Sequence, residues 1–480
     1  MSSLLYISTG CFAAKFLENS RTYCKPFLLC SPVQLSLEGA VMKKIFVSDL
    51  HALPAGVAVV LPCWLKARRH SGGICFLDVV DSTGQIQVVV EKKAFPAEYF
   101  DAIGRIPLES AIEITGAVVS HPNKPREIVA GNIGVVNPAD LQISPQPRGD
   151  FDIFDPSLAD QLLSNRHLYL RNPKIMEILK FRSLMMSEVR RWFEDRQFLA
   201  IDAPILTPVP LYDDGSAVGV DIGGEHIFMT QCVGYYLEAA VQAFERVYNM
   251  GPSFRGEESR SPRHLMEYHH IKAEIAFTDL EDIIRLVESL IAHLTNACWE
   301  KSPNTAKTLG KPMCLDGMRT PFPRISYEDA VSYLAKHGFD IAFGKGLGGA
   351  EEKKLSELFP STPFWVTGIP RVVEPFPYCI DPTDTRITRV ADLIASNGYG
   401  ELLGVAEKIH DLTMLDERLA EKGKLQDPRY EWVREVHQMG CVPHTAFGMG
   451  VERMVRWLLN IPHVRDAIPF PRIFRRRVYP

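Results

Sequence analysis

Residues 254 to 277 read Phe-Arg-Gly-Glu-Glu-Ser-Arg-Ser-Pro-Arg-His-Leu-Met-Glu-Tyr-His-His-Ile-Lys-Ala-Glu-Ile-Ala-Phe, and this stretch decides the fold. Apolar, strand-like ends enclose a polar middle punctuated by Ser-Pro, which is the pattern of a strand–loop–strand hairpin. The middle holds Arg255, Arg260 and Arg263, with carboxylates before and after the Ser-Pro. Guanidinium groups on a rigid support suit an anion of fixed geometry, such as a nucleoside triphosphate. A solvated hairpin laced with surface ion pairs is the plainer reading, since charge clusters usually face water. On this stretch alone both readings stand.

Working outward, Asn172 to Phe193 carries apolar residues at helical spacing, with Asn172 as N-cap and Pro173 at the first helical position. Phe198 to Pro204 follows as a strand closed by proline. Downstream, a helix from Asp279 to about Glu300 opens with the capping box Thr278-x-x-Glu281, and Tyr430 to Met439 is helical again. Phe447-Gly-Met-Gly450 reads as the end of a strand and Val451 onward as an apolar helix. Gly448 and Gly450 permit close backbone approach by a ligand, and Arg453 in the first helical turn can reach an anion over the helix start. A lone G-x-G before a helix occurs in many unrelated folds. This order of elements predicts an α+β domain over residues 161–480, an antiparallel sheet flanked by helices.

Before it, residues 43–140 form short β-rich runs: Val57–Leu61, Ile74–Val80, Gln85–Val90 and Ala111–Val119. Such spacing predicts a small all-β barrel of the OB type. The basic cluster Lys66, Arg68, Arg69 and His70, with Phe76 and Gln87, fits a single-stranded nucleic-acid face, or else a barrel core residue among solvated cations. Residues 141–160, with Pro145, Pro147 and Pro156, read as a linker. Residues 1–42 are nearly free of acid and read as a disordered leader before a start near Met42, or as a transit peptide. The formal net charge of −5 requires any nucleic-acid partner to be met by a local basic patch. Ten cysteines without a CxxC pair argue against structural zinc and suit a reducing cytoplasm. No apolar run reaches the roughly 18 residues of a membrane span.

Three separated stretches, in order, resemble the class II aminoacyl-tRNA synthetases. The helix with Phe198…Pro204 is similar to the first class motif, which in that family builds a dimer interface. Phe254-Arg-Gly-Glu257 with Arg263-His-Leu265 and Glu267-Tyr268 is similar to the second, and Gly448-Met-Gly450-x-x-Arg453 to the third. Pro443-His444, Ile468-Pro-Phe-Pro-Arg472, Asn165-Arg-His-Leu-x-Leu170 and Tyr236-Leu-Glu238 narrow the resemblance to the aspartyl/asparaginyl branch, with the asparaginyl type matching best. The resemblance implies an OB domain that binds the anticodon through Arg69, Phe76 and Gln87, a homodimer, and ATP with Mg²⁺ as reactants. It further implies that Arg255 bridges the substrate carboxylate and the α-phosphate, while Arg263, His264 and Arg453 hold the β/γ end. Glu257 would accept from the adenine amino group and Tyr268 would stack on the ring, with Leu265 and Gly450 lining the ATP site. Glu401 would hold Mg²⁺, with Asp392 as a second acid.

The departures fall on the amino-acid pocket, to which Asp214, Gln231, Gly234, Lys408 and His444 correspond. Where relatives carry Gly-Glu-Ile-Ile-Gly-Gly-Ser-Gln-Arg-Glu, this chain reads Gly400-Glu-Leu-Leu-Gly-Val-Ala-Glu-Lys408-Ile409, so lysine stands for the arginine that grips the substrate side chain. Lysine keeps the charge and loses the bidentate fork. Gly234 stands for a glutamine near the substrate amine, Asp214-Gly215-Ser216 for Glu-Gly-Gly, Ala446 for a glycine, and Lys272 for the first acid of Glu-x-Glu. The expected activity is asparagine or a related acid activated by ATP and transferred to tRNA. The alternative is a paralogue that passes the acyl group to ammonia or another amine.

Overall fold

Alternation of apolar and polar residues builds the first part of the chain. In the computed structural model, which describes residues 43–121, 124–210, 214–258, 261–309 and 318–479, its strands are β1 (Lys43–Lys44), β2 (Ala58–Ser71), β3 (Ile74–Val80), β4 (Gln85–Glu91), β5 (Ala111–His121) and β6 (Lys124–Asn137). The leader expected over residues 1–42 lies outside the described residues. Strand order is β1-β2-β3-β4-β6-β5, and β5 pairs back onto β2, which closes a barrel. Cys75, Leu77 and Val79 of β3 point inward, and a short helix α1 (Ala97–Ile103) adds Phe100 and Ile103 to the same core. The register of β2 against β3 slips between Leu65 and Ala67. Beyond the slip Arg69 lies opposite Phe76, while Arg68 donates to the Ile106 carbonyl. The cationic run read from the sequence thus splits between two directions.

The chain divides into two compact units between Gln146 and Pro147. The second contains β7 (Leu199–Ala200), the hairpin strands β8 (Leu206–Thr207), β9 (Val218–Ile222) and β10 (Glu225–Met229), and the long strands β11 (Arg246–Phe254) and β12 (Glu267–Ala276). It continues through β13 (Arg324–Ser326), β14 (Phe364–Thr367), β15 (Val390–Ala395), β16 (Gly400–Lys408) and β17 (His444–Gly450). Among the described residues one sheet has the order β13-β14-β15-β16-β17-β12-β11-β7. Every pairing from β14 to β11 is antiparallel, and only the two end strands pair parallel. An α+β domain with an antiparallel sheet, preceded by an all-β barrel, is therefore what the chain forms.

The hairpin read over 254–277 is the β11–β12 pair, of which β11 starts earlier, at Arg246, and only its last residue falls in the quoted stretch. The strand read over Phe198–Pro204 shortens to two residues at the sheet edge. There the Ile201 carbonyl accepts from the Asn249 side-chain amide at 2.8 Å and from the Ala203 N–H of its own turn at 3.1 Å, and the ladder ends. Helices α2 (Pro173–Glu194), α3 (Gly234–Phe244), α4 (Leu280–Lys301), α5 (Gly349–Leu355), α6 (Glu431–Gln438) and α7 (Val451–Leu458) complete the frame used below. Asn172 caps α2 as expected, accepting from the Lys174 N–H. The capping box of α4 lies one residue later than the sequence suggests. Asp279 and Asp282 cap each other's N–H groups, because the Thr278 hydroxyl is taken by the Ile275 carbonyl and Thr445.

Burial of one face of α2 fixes the back of the sheet. Phe193 stacks on Tyr248 of β11 with ring centroids 4.3 Å apart, and Phe447 of β17 lies on the same ring. Arg182 of α2 donates to Glu452 of α7 at 2.9 Å, both nearly buried, and Glu452 also accepts from the His269 N–H of β12. This pair ties α2, α7 and β12 together one residue before Arg453. Removing one member of a buried ion pair leaves the other charge uncompensated. Arg182→Ala should therefore destabilise the second unit by about 3–5 kcal/mol in denaturant unfolding, and a loss below about 1 kcal/mol would refute this role for the pair.

Candidate active site

Two neighbouring central strands carry almost no side chains on one face. Gly404 of β16 pairs with Gly448 of β17, and Ala406 with Ala446 beside them. On either side of the glycine pair stand Asp392 of β15 and Lys272 of β12. A Cβ on Gly448 would come within 2.7 Å of His270 Nε2, and one on Gly404 within 2.9 Å of Asp392 Oδ1. The result is a flat floor under a cavity of about 310 Å³. Tyr268, His270 and Lys272 of β12 wall one side, Asp392 and Glu401 the other, and Glu374, Pro375 and Tyr378 also line it.

Cations and carboxylates alternate around this floor. Arg453, in the first turn of α7, reaches Glu401 through its carboxylate at 3.0 Å and its backbone carbonyl at 3.2 Å. Arg263 is bonded to Glu352 of α5, and the same carboxylate accepts from the Glu401 N–H at 2.8 Å. Arg255, at the end of β11, lies 3.5 Å from Glu257 and over the Tyr268 ring. Burial alone would raise the Glu401 carboxyl, but the guanidinium groups of Arg453, Arg263 and Arg255 outweigh it and hold it below the usual carboxylate range. Asp392 lacks that compensation. Burial and the nearby Glu401, Glu374 and Glu352 push it well up, and burial with Glu401 lifts Glu374 to about 7. Burial, with Arg453 and Arg263 adding to it, lowers His264 to about 4, so that imidazole is neutral at neutral pH.

Beyond the alanines the face ends in a closed ionic cluster. Lys408 and Glu238 of α3 pair at 2.6 Å, each almost wholly buried. His437 approaches Glu238 at 3.5 Å, and His444 approaches Glu274 at 3.7 Å. Among the described residues neither Glu274 oxygen accepts a hydrogen bond. Burial, reinforced by Glu238, raises the Glu274 carboxyl to about 8, and burial lowers His444 to about 4.

The cavity gathers the nine residues Arg255, Arg263, His264, Leu265, Tyr268, Asp392, Glu401, Gly450 and Arg453 read for nucleotide and metal, together with Lys272, Ala446 and Gly448. Glu257 is exposed beside Arg255. Lys408 and His444 lie behind the lining, Gly234 starts α3, and Gln231 donates to the Ser216 hydroxyl at 2.9 Å. Asp214 opens the turn Asp214–Ser216, and its side chain lies outside the described residues. In the barrel unit Arg69 donates to Gln87 at 3.0 Å and sits over Phe76, so these three share one face. Sequence reading missed Glu352, Glu374 and the nearly buried Glu127, which accepts from Gln87 at 2.6 Å. Each comes from a segment without a motif.

The family described as tRNA synthetases class II (D, K and N) matches residues 159–473, and the OB-fold nucleic acid binding domain matches residues 59–136. The asparagine–tRNA ligase of Pelotomaculum thermopropionicum is 37% identical over 439 residues, covering 91% of this chain and 99% of the relative. That of Thermococcus gammatolerans is 33% identical, covering 92% and 100%. The crystal structure of asparaginyl-tRNA synthetase from Pyrococcus horikoshii complexed with asparaginyl-adenylate superposes with a TM-score of 0.85 at 31% identity, covering 92% of this chain and all of that one.

The Glu274 carboxyl gives a pH signature. An unfolded chain releases this proton near 4.5 and the folded one near 8, so between these values unfolding releases a proton and stability falls as pH rises. Glu274→Gln has no such proton. The melting temperature of the natural chain minus that of the variant should decline from about pH 5 to about pH 8, by at most about 1.4 kcal/mol of stability per pH unit. A pH-independent difference would refute the assignment.

Proposed function

The chain belongs to the class II tRNA synthetases of the D, K and N group, and from that premise we propose that it condenses ATP with asparagine or a closely related acid and transfers the acyl group to tRNA. The observation that carries this reading is the convergence of Arg255, Arg263 and Arg453 on one glycine-floored cavity. When a carboxylate oxygen bonds to the α-phosphorus and the bond to pyrophosphate breaks, negative charge grows on the phosphoryl oxygens and the leaving group. Prepositioned cations stabilise that charge better than water, which must reorient. In this reading Arg255 meets the carboxylate and α-phosphate, while Arg263, His264 and Arg453 hold the departing end. His264, being neutral, offers a hydrogen bond without adding charge. Tyr268 stacks on adenine, Leu265 and Gly450 pack beside it, and Glu257 accepts from its amino group.

Glu401 and Asp392 are the residues that would hold Mg²⁺. A divalent cation would offset the repulsion that lifts Asp392 among Glu401, Glu374 and Glu352. Among the described residues no three His, Cys, Asp or Glu side chains form a metal cluster, so the ion would take its remaining ligands from phosphate and water, the usual habit of Mg²⁺. It would supply charge neutralisation at the phosphoryl oxygens. Gln231, Gly234, Lys408, His444 and Asp214 belong to the amino-acid side, where the Lys408–Glu238 pair replaces a guanidinium fork. Arg69, Phe76 and Gln87 would stack on and read anticodon bases, with stacking worth about 1–3 kcal/mol per base.

A homodimer is supported by Leu199, Ile205 and Leu206, which expose apolar surface beside Pro204 at the sheet edge. A reducing cytoplasm is supported by free thiols at Cys63, Cys75, Cys232, Cys298, Cys379 and Cys441. Among the described residues no helix is long and apolar enough to cross a membrane.

ATP–pyrophosphate exchange across asparagine, aspartate and related acids tests the reading, followed by acceptor assays with tRNA and with small amines. Exchange with product formed only from amines would sink the tRNA step in favour of amide formation. Arg453→Ala should abolish exchange, on the order of a 10³-fold loss. Gln87→Ala should leave exchange intact and lower tRNA charging roughly 10-fold. Undiminished charging would overturn the anticodon assignment. Gly448→Ala should raise the KM for ATP about 10-fold by placing a methyl against His270.

A further inference from the structure

We propose that Glu352 is a positioning residue for the activation step: a single buried carboxylate that sets the phosphate-facing Arg263 and the backbone of the metal-side Glu401 in one geometry. Glu352 lies on α5, in a segment that carries none of the family motifs, and it does not line the cavity. It is almost fully buried, and one of its oxygens, Oε2, is bonded both to Arg263 and to the Glu401 N–H. Arg453 grips the other side of Glu401, through its carboxylate and its carbonyl. A continuous chain of charge-assisted contacts thus runs Arg263–Glu352–Glu401–Arg453. It links the two guanidinium groups assigned to the departing pyrophosphate.

The fit is tight on its third side. Gly400 has φ of +83°, and a Cβ there would come within 2.7 Å of both Arg263 Nη1 and Glu352 Oε2. The backbone at the start of β16 therefore lies directly against the pair. Arg263 shares its wall with Arg453 and Arg255, whose charges repel it. Glu401 and Glu351 also favour the Arg263 charge, but Glu352 is the carboxylate bonded to it, and without that bond a long flexible side chain has no fixed direction. With Glu352 in place, part of the guanidinium is committed to the protein and its orientation toward the cavity is set before any ligand arrives. Preorganisation of this kind lowers the cost of binding and the reorganisation needed as charge develops.

This inference rests on the adenylate-forming reading, and ATP–pyrophosphate exchange separates the two. Glu352→Gln keeps an acceptor for the Glu401 N–H while removing the charge that holds Arg263. It should raise the KM for ATP on the order of 10-fold and leave the KM for the acid within about twofold. If Glu352 acts through Arg263, the same change made on an Arg263→Gln background should add less than about threefold. An unchanged KM for ATP, equal shifts in both KM values, or full additivity in the double variant would overturn the proposal. Should Glu352→Gln not fold, Glu352→Asp retains the charge on a stem too short to reach both partners, and a wild-type KM for ATP there would overturn it equally. A natural chain that exchanges with no acid would remove the adenylate reading and this inference with it. Exchange by the natural chain with an unaffected Glu352→Gln variant removes this inference alone.

Discussion

The pairing of Gly404 with Gly448 is the constraint on which the site depends, and it is held from the opposite face of the sheet. Leu403 opposite Met449 and Val405 opposite Phe447 are buried on that face, interleaved with the glycines. Because side chains alternate, a slip of one residue in either strand would move this apolar set into the cavity and the glycines into the core. Hydrophobic burial, non-directional in itself, therefore fixes the floor to within one residue. The aromatic stack of Phe193, Tyr248 and Phe447 anchors the same register from α2. Polar geometry on one face is a by-product of packing on the other.

Given that floor, the charges around it cannot be arranged independently. Three guanidinium groups and five carboxylates, Glu257 at the exposed rim, crowd a partly dry cleft, where an unpaired charge is costly. Pairing resolves most of this: Arg453 with Glu401, Arg263 with Glu352, Arg255 with Glu257. Asp392 and Glu374 are left with the residual repulsion, and their raised carboxyl groups record it. An excess of buried carboxylate on one wall facing cations on the other is what a polyanion arriving with a divalent cation would balance.

Legibility in the sequence followed the range of the interaction. Arg255 and Arg263 stood out as guanidinium groups on a strand–loop–strand hairpin, and Arg453 by its position in the first helical turn after glycine, both local rules. The barrel strands were read from short β-rich runs, although the slip in β2 between Leu65 and Ala67 left no compositional mark. The capping box of α4 was misplaced by one residue because Thr278 and Asp279 are both competent caps, and a distant hydroxyl, Thr445, decided between them. Glu352 and Glu374 were invisible for a different reason. Gly349–Leu355 around Glu352 looks like ordinary solvated, charge-rich chain and residues 372–378 around Glu374 like a proline-rich loop, and only tertiary packing brings the two carboxylates to the site.

The end of the cavity proposed for the amino acid shows what that difference in range implies for specificity. Lys408 keeps a cation where the resemblance expects an arginine, and in the structure Glu238, 170 positions away, takes it up. A guanidinium could satisfy a carboxylate with one edge and present donors on another, whereas an ammonium is a point charge with no fixed second edge. The pair is also shut behind Ala406 and Ala446, whose methyl groups stand between it and the glycine floor. Substituting lysine thus changes more than the strength of one contact: it converts a directional group into an internally compensated one. If the acid enters at this end, as proposed, it meets the Lys408–Glu238 pair and the unbonded Glu274 carboxyl rather than an open guanidinium fork. At the end proposed for ATP, Arg453, Arg263 and Arg255 are each already paired with a carboxylate, which leaves them no comparable freedom.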